Sequence, residues 1–95
     1  MDNQHQKIKG YRDLSQQEID LMNQIKQKGQ ELQTLLTETG AHLARQNAAA
    51  AQVGDGEELD RIKTAEPGRW VAIAKTDFQS GLMALTRAVA QPTSF

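Results

Sequence analysis

A seam of regularly spaced positions runs through the middle of this 95-residue chain and predicts one long helix. The positions recur at alternating steps of three and four residues, which is a heptad pattern. They are Met22, Ile25, Gly29, Leu32, Leu36, Thr39, Leu43, Gln46, Ala50 and Val53. At about 1.5 Å per residue, a helix over residues 15–53 spans roughly 55–60 Å. No monomeric domain of this size covers that length without a partner helix, so the seam predicts helix pairing.

The beginning of this helix carries local start signals. Ser15 is the expected N-cap, and Glu18 follows at the spacing of a capping box. Leu14 and Ile19 occupy the two positions of a hydrophobic staple. These signals agree on a helix start at Ser15.

A turn and a second long helix follow. Gly54 and Gly56 flank Asp55 and favour a reversal of the chain, and Asp55 is placed to cap the next helix. The second helix is predicted over 57–91, with a kink near Pro67 because proline lacks a backbone donor and disfavours α geometry at the residue before it. The expected fold is therefore all-α. It is a single domain over residues 1–95, made of a basic arm over 1–12 and a long antiparallel helical hairpin.

The segment after the kink, from Glu66 to Phe95, has more apolar side chains than one facing helix can bury. Its apolar residues point in several directions, and Phe78, Leu82, Leu85 and Val89 are expected to form one row. A two-helix chain has too little interior to be very stable alone. The sequence therefore predicts a homo-oligomer assembled through the second helix.

Composition excludes several classes of function. There are 11 Lys and Arg against 12 Asp and Glu, which argues against a general duplex-DNA binder. The chain has no cysteine, and its histidines, His5 and His42, have no ligand-spaced neighbour, so no metal site and no cofactor are expected. No enzyme motif is present. No apolar run approaches the ~18 residues of a membrane span, and residues 1–10 lack the apolar core of a signal peptide, so a soluble intracellular protein is expected.

Four residues are candidates for ligand contacts, each with a plainer alternative. Tyr11 lies in the basic arm, where an aromatic ring beside cations suits a nucleotide, or simply packs the arm onto the hairpin. Lys26 borders the seam and reaches over apolar surface, or belongs to a solvated face. Arg69 follows the kink and suits a phosphate, or pairs with Glu66. Thr93, in the polar tail, offers only a supporting hydrogen bond.

Two stretches of the chain carry a resemblance to a known family. They are RWVAIAKTDFQSGLMALTRAVAQP near the end and GYRDLSQQEIDLMNQIK near the start. The chain resembles the hairpin-domain family of phage anti-CBASS cyclic-nucleotide sponges, which also includes a sponge acting against Thoeris defence. The resemblance covers nearly the whole chain and is weakest from about Glu31 to Asp60.

The resemblance implies a short N-terminal helix, two long antiparallel helices with the last one kinked, and a homohexamer in the host bacterial cytoplasm. It implies sequestration, without cleavage, of cyclic dinucleotides such as 3′,3′-cyclic GMP-AMP and of cyclic trinucleotides such as cyclic tri-adenylate. On the matching motifs, Tyr11 and Lys26 correspond to the dinucleotide contacts. Arg69 and Thr93 correspond to the trinucleotide contacts. Duplex nucleic acid and membranes are not expected partners.

Two other functions compete with sequestration. The heptad seam also suits a coiled-coil adaptor that pairs with another protein. A phosphodiesterase ranks below both, because the chain lacks the His and Asp clusters that metal-assisted cleavage usually requires.

Overall fold

The structure, a computed structural model, describes residues 13–94. Within that range it contains three helices and no strand: α1 (Gln16–Gln52), α2 (Gly56–Ala65) and α3 (Pro67–Ala90). Both α2 and α3 pack against α1. The all-α prediction is confirmed, and the hairpin arrangement agrees with it. The basic arm over 1–12, with its expected short helix, lies outside the described residues.

The start of α1 is the predicted capping box. The backbone amide of Glu18 donates to the Ser15 hydroxyl at 3.2 Å, and the Ser15 amide donates to the Glu18 carboxylate at 2.8 Å. These bonds satisfy amides that the first helical turn otherwise leaves without partners. Leu14 and Ile19, the two staple positions, are both half-buried. Local sequence signals are therefore enough to fix where α1 begins.

The seam of α1 is the face that the rest of the chain covers. Its positions from Met22 to Gln46 are all half-buried, and Ala50 is buried. Gly29 permits a close approach to α3, since a Cβ added there would lie 3.2 Å from Leu82 Cδ1. The last seam residue departs from the pattern: Val53 is 76% exposed because α1 ends at Gln52 and Val53 is its C-cap.

The helix in the second half of the hairpin is interrupted before Pro67, where only a kink was expected. The predicted single helix over 57–91 is two helices, α2 and α3, separated by Glu66 alone. Glu66 adopts a left-handed conformation with φ 50° and ψ 52°, and Pro67 begins α3. Because proline disfavours right-handed α geometry at the preceding residue, the helical path stops at Glu66. Asp55 caps α2 as predicted, accepting from the Glu58 amide at 3.0 Å.

The apolar row of α3 differs from the prediction at one position. Phe78, Leu82 and Val89 are half-buried, but Leu85 is 53% exposed and Thr86 is half-buried beside it. At about 100° per residue, Thr86 lies ~40° from Leu82 around the helix and Leu85 lies ~60° away on the other side. The Thr86 hydroxyl donates to the Leu82 carbonyl at 2.9 Å, so its polar group is satisfied. The helix ends at Ala90, just before Pro92, as predicted.

The described part of the chain has almost no interior of its own. Ala50 is the only fully buried hydrophobic residue among residues 13–94. The radius of gyration is 20.5 Å, whereas a compact chain of this length has a radius of about 12 Å. Within the same range, none of the helices combines the length and apolarity needed to cross a bilayer. The chain is an open hairpin whose packing surfaces remain largely uncovered.

Candidate functional site

The helices α1 and α3 lie side by side, and their contact line separates two flanks of different character. We call the surface around Leu21, Leu35, Trp70 and Leu85 the apolar flank. We call the opposite surface, around Lys26, Lys75 and Arg87, the cationic flank. Both flanks are grooved between the same two helices.

The apolar flank has two cavities along its length. One, of about 530 Å³, lies between Leu21 on α1 and Leu85 on α3. The other, of about 520 Å³, lies between Leu35 on α1 and Trp70 on α3. All four side chains are large, hydrophobic and exposed. A charged residue of the first cavity, Lys28, pairs with Glu31 at 3.1 Å.

The cationic flank has a large cavity of about 660 Å³ that contains Lys26. Lys26 and Asn23 line it from α1, while Arg87 and Pro92 line it from the end of α3 and the tail that follows. A smaller cavity of about 180 Å³ continues along the same groove and is lined by Gln33, Lys75 and Gln79. The two cavities share Gly29 and Leu82 as lining residues and lie next to each other on this flank.

Lys26 is exposed and lies next to the seam residue Ile25, as the sequence predicts. Within residues 13–94, Lys26 makes no hydrogen bond and no ion pair, so its ammonium group is available to an anion there. Its expected companion in the dinucleotide site, Tyr11, lies outside the described residues. The structure thus places one member of the predicted pair in a groove of ligand size, since small-molecule sites occupy about 300–1,000 Å³.

Arg69 makes the ion pair that was its alternative interpretation. Its Nη1 atom lies 3.6 Å from Glu66 Oε2, and its Cζ atom lies 5.2 Å from the centre of the Trp70 ring. Both partners in the ion pair are more than half exposed. An exposed pair contributes only about 0–1 kcal/mol, so an incoming anion can displace the Glu66 carboxylate at little cost.

Thr93 lies at the opposite end of α3 from Arg69. The helix end at Ala90 lies 21 positions after Arg69, or roughly 32 Å along α3 at ~1.5 Å per residue. The tail that carries Thr93 is held near the Lys26 cavity, because Arg87 Nη2 donates to the Ser94 carbonyl at 3.5 Å and Pro92 lines the cavity. Within one chain, the structure therefore brings the tail to Lys26 and keeps Arg69 and Thr93 apart.

Sequence reasoning missed Lys75 and Arg87 as groove residues. One sequence signal was available: no acidic residue occurs from Phe78 to Phe95, which leaves Arg87 without a nearby carboxylate in the sequence. Which side chains line the groove, however, depends on which residues of α1 face which residues of α3. Among residues 13–94 there is no cluster of three or more side chains suited to hold a metal ion.

Comparison with known proteins gives two matches. A family model described as "Acb2/Tad1, hairpin domain" matches residues 3–90, which is most of the chain. A protein named "Anti-CBASS protein 2", from Pseudomonas phage JBD67, is 50% identical to this chain over an alignment of 105 positions, gaps included. That alignment covers 97% of each of the two chains.

Proposed function

Because the chain belongs to the Acb2/Tad1 hairpin-domain family, we propose that it is a phage anti-CBASS protein that binds and sequesters cyclic oligonucleotides without cleaving them. The observation that carries this proposal is the 50% identity to Anti-CBASS protein 2 over 97% of both chains. The protein would act in the cytoplasm of the host bacterium.

The Lys26 groove supports binding of a small anion. It offers an ammonium group that is unpaired within residues 13–94, an arginine, an asparagine amide and an apolar floor, and none of the described residues that line it is acidic. Charge-assisted hydrogen bonds to phosphate are stronger than neutral ones, particularly where the ligand is shielded from water. Such a site also works on a chain whose overall net charge is −1, because only the local charge faces the ligand. Tyr11 would complete the dinucleotide site by stacking on a base.

Assembly into a homo-oligomer, for which we propose a hexamer, would complete these sites. The apolar flank leaves Leu35, Trp70 and Leu85 exposed, and no other element within residues 13–94 covers them. A second copy of the same chain is the occupant that is always present at matching concentration. Arg69 and Thr93 would then contact one trinucleotide only if they come from different subunits, since α3 keeps them far apart within one.

Ligand recovery tests sequestration directly. The protein is mixed with 3′,3′-cyclic GMP-AMP, separated from free ligand, denatured by heat and analysed by chromatography. We expect the intact cyclic dinucleotide to be released, because a sponge leaves the phosphodiester bonds unbroken. Linear products would indicate an enzyme instead, and failure to retain any cyclic di- or trinucleotide would refute the proposal. A thermal-shift panel of these ligands would rank them, since a ligand that binds only the folded state raises Tm.

A coiled-coil adaptor is the second candidate, favoured by the exposed apolar flank. The heptad seam itself now gives it less support, because α2 and α3 of the same chain cover that seam. The two candidates differ in assembly. Light scattering should detect a compact hexamer for a sponge and an elongated dimer for an adaptor.

A further inference from the structure

The smaller cavity of the cationic flank contains a second exposed lysine that has no assigned role. Lys75 lines this cavity from α3, between Gln33 on α1 and Gln79 on α3. Within residues 13–94, Lys75 makes no hydrogen bond and no ion pair. Two other cations of the hairpin, Lys28 and Arg61, are paired with neighbouring glutamates. Lys75 therefore presents an uncompensated charge beside two amide side chains.

The groove places Lys75 within reach of a ligand that contacts Lys26. Gln33, which lines the same cavity as Lys75, follows Lys26 by seven residues, or ~10 Å of helix. Seven residues are about two helical turns, so Lys26 and Gln33 lie on the same face of α1. The two cavities meet at Gly29, where the absence of a side chain lets α1 approach Leu82. The two cavities are therefore neighbours on the same flank, each with one lysine.

The sizes of the two cavities suggest a division of roles. Whole ligands usually occupy about 300–1,000 Å³, and the Lys26 cavity of about 660 Å³ falls within this range. The Lys75 cavity, at about 180 Å³, is too small for a whole nucleotide ligand. Beside the apolar side chains of Leu32, Leu36, Phe78 and Leu82, its polar lining is one cation and two amides. That polar set suits a phosphoryl group, which needs several hydrogen-bond donors and a compensating charge.

We propose that Lys75, with Gln33 and Gln79, forms an additional phosphoryl-binding site that receives one end of an anionic ligand seated at Lys26. The identity of that ligand as a cyclic oligonucleotide rests on the proposed function, whereas the preference for a phosphoryl group rests on the cavity itself. Lys75 supplies the charge. The two glutamine amides donate hydrogen bonds and hold the group between α1 and α3.

Calorimetry on the full-length chain tests this site with two probes, 3′,3′-cyclic GMP-AMP and inorganic triphosphate. We expect Lys75→Gln to weaken the binding of each probe that the wild type binds by about tenfold, since one charge-assisted hydrogen bond is lost. Lys63→Gln is the matched control, because Lys63 is an exposed lysine in the last turn of α2. It should leave affinities within about twofold. Lys75→Arg should retain most of the binding, which separates loss of charge from loss of fold.

The outcomes separate this proposal from the proposed function. Binding of triphosphate that depends on Lys75, without binding of the cyclic dinucleotide, would support the site and count against that ligand. Binding of the cyclic dinucleotide that is equal in wild type and Lys75→Gln would overturn the Lys75 site and leave sequestration standing. Wild-type protein that binds neither probe would overturn the site as well.

Discussion

The two flanks of the hairpin are built from the same two helices and both have largely apolar grooves, yet they differ in whether their charged side chains are paired. On the apolar flank, Leu35 and Trp70 line a cavity, and the nearby charge of Lys28 is paired with Glu31. On the cationic flank, Lys26 and Lys75 line a groove without partners among residues 13–94. The difference arises from which side chains border the seam on each side. We propose that one flank serves assembly and the other serves anion binding, and both proposals can be tested.

The largest expected effect is the loss of assembly when the apolar flank receives a charge. Leu35 is exposed in the single chain, so Leu35→Glu should change the stability of a monomer by less than about 0.5 kcal/mol. At an interface the same carboxylate would be an uncompensated buried charge that costs about 3–5 kcal/mol. Light scattering should therefore show a lower mass for Leu35→Glu than for the wild type.

The control for this experiment is Val53→Glu. Val53 is an equally apolar and more exposed residue, but it lies in the turn after α1 and borders neither flank. It should keep the wild-type mass. Equal masses for all three proteins would remove the apolar flank from the assembly surface.

The second effect is on ligand affinity and compares two neighbouring lysines of α1. Lys26→Gln should weaken binding of 3′,3′-cyclic GMP-AMP by roughly ten- to a hundredfold, because a hydrogen bond to a charged group contributes about 1.5–3 kcal/mol. Lys28→Gln removes an equal charge from the other flank and should have little effect. Isothermal titration of both variants measures the difference. Similar losses of affinity from the two substitutions would mean that ligand binding is not confined to the cationic flank.

Arg69 should contribute a smaller and more selective effect. Arg69→Gln should weaken binding of cyclic tri-adenylate by about tenfold, which corresponds to ~1.4 kcal/mol, because the guanidinium must first leave its exposed pair with Glu66. Affinity for the cyclic dinucleotide should stay within about twofold, since α3 carries Arg69 far from the Lys26 groove. Equal weakening of both ligands would point to one shared site.

The smallest effect concerns packing along the seam, for which two glycines of α1 form a matched pair. Gly40→Ala should raise the free energy of unfolding by about 0.5–1 kcal/mol, because alanine favours helix and nothing lies within 4 Å of the added Cβ. Gly29→Ala has the same gain in propensity but must displace Leu82, which lies 3.2 Å away. It should therefore stabilise less, or destabilise. Denaturant unfolding of the two variants compares them, and equal gains would show that the approach at Gly29 is not tight.

Local and periodic features of this fold could be predicted from the sequence. The Ser15 capping box, the Asp55 cap and the seam of α1 each depend on residues a few positions apart, so the chain alone specifies them. The position of the interruption before Pro67 was also predictable. Whether the helix bends or stops there could not be predicted, because the two outcomes differ only in the backbone angles that Glu66 adopts.

The candidate site was harder to predict because it depends on the pairing of two distant segments. Lys26 was chosen for its place beside the seam, and the structure puts it in a groove. Lys75 and Arg87 were not predicted as site residues, because they reach the groove only through the register of α3 against α1. The same register explains why Thr86, and not the predicted Leu85, is half-buried in the apolar row. Ligand contact by Tyr11, Lys26, Arg69 and Thr93 remains a prediction.

The contact between Arg87 and the Ser94 carbonyl has a practical consequence for handling the protein. It holds the tail beside the Lys26 groove, so an affinity tag fused after Phe95 would be tethered at the mouth of that groove. The exposed turn from Val53 to Asp55 lies at the other end of α1, roughly 40 Å away at ~1.5 Å per residue. A fluorophore or surface-attachment handle placed in that turn would leave the groove open for binding measurements.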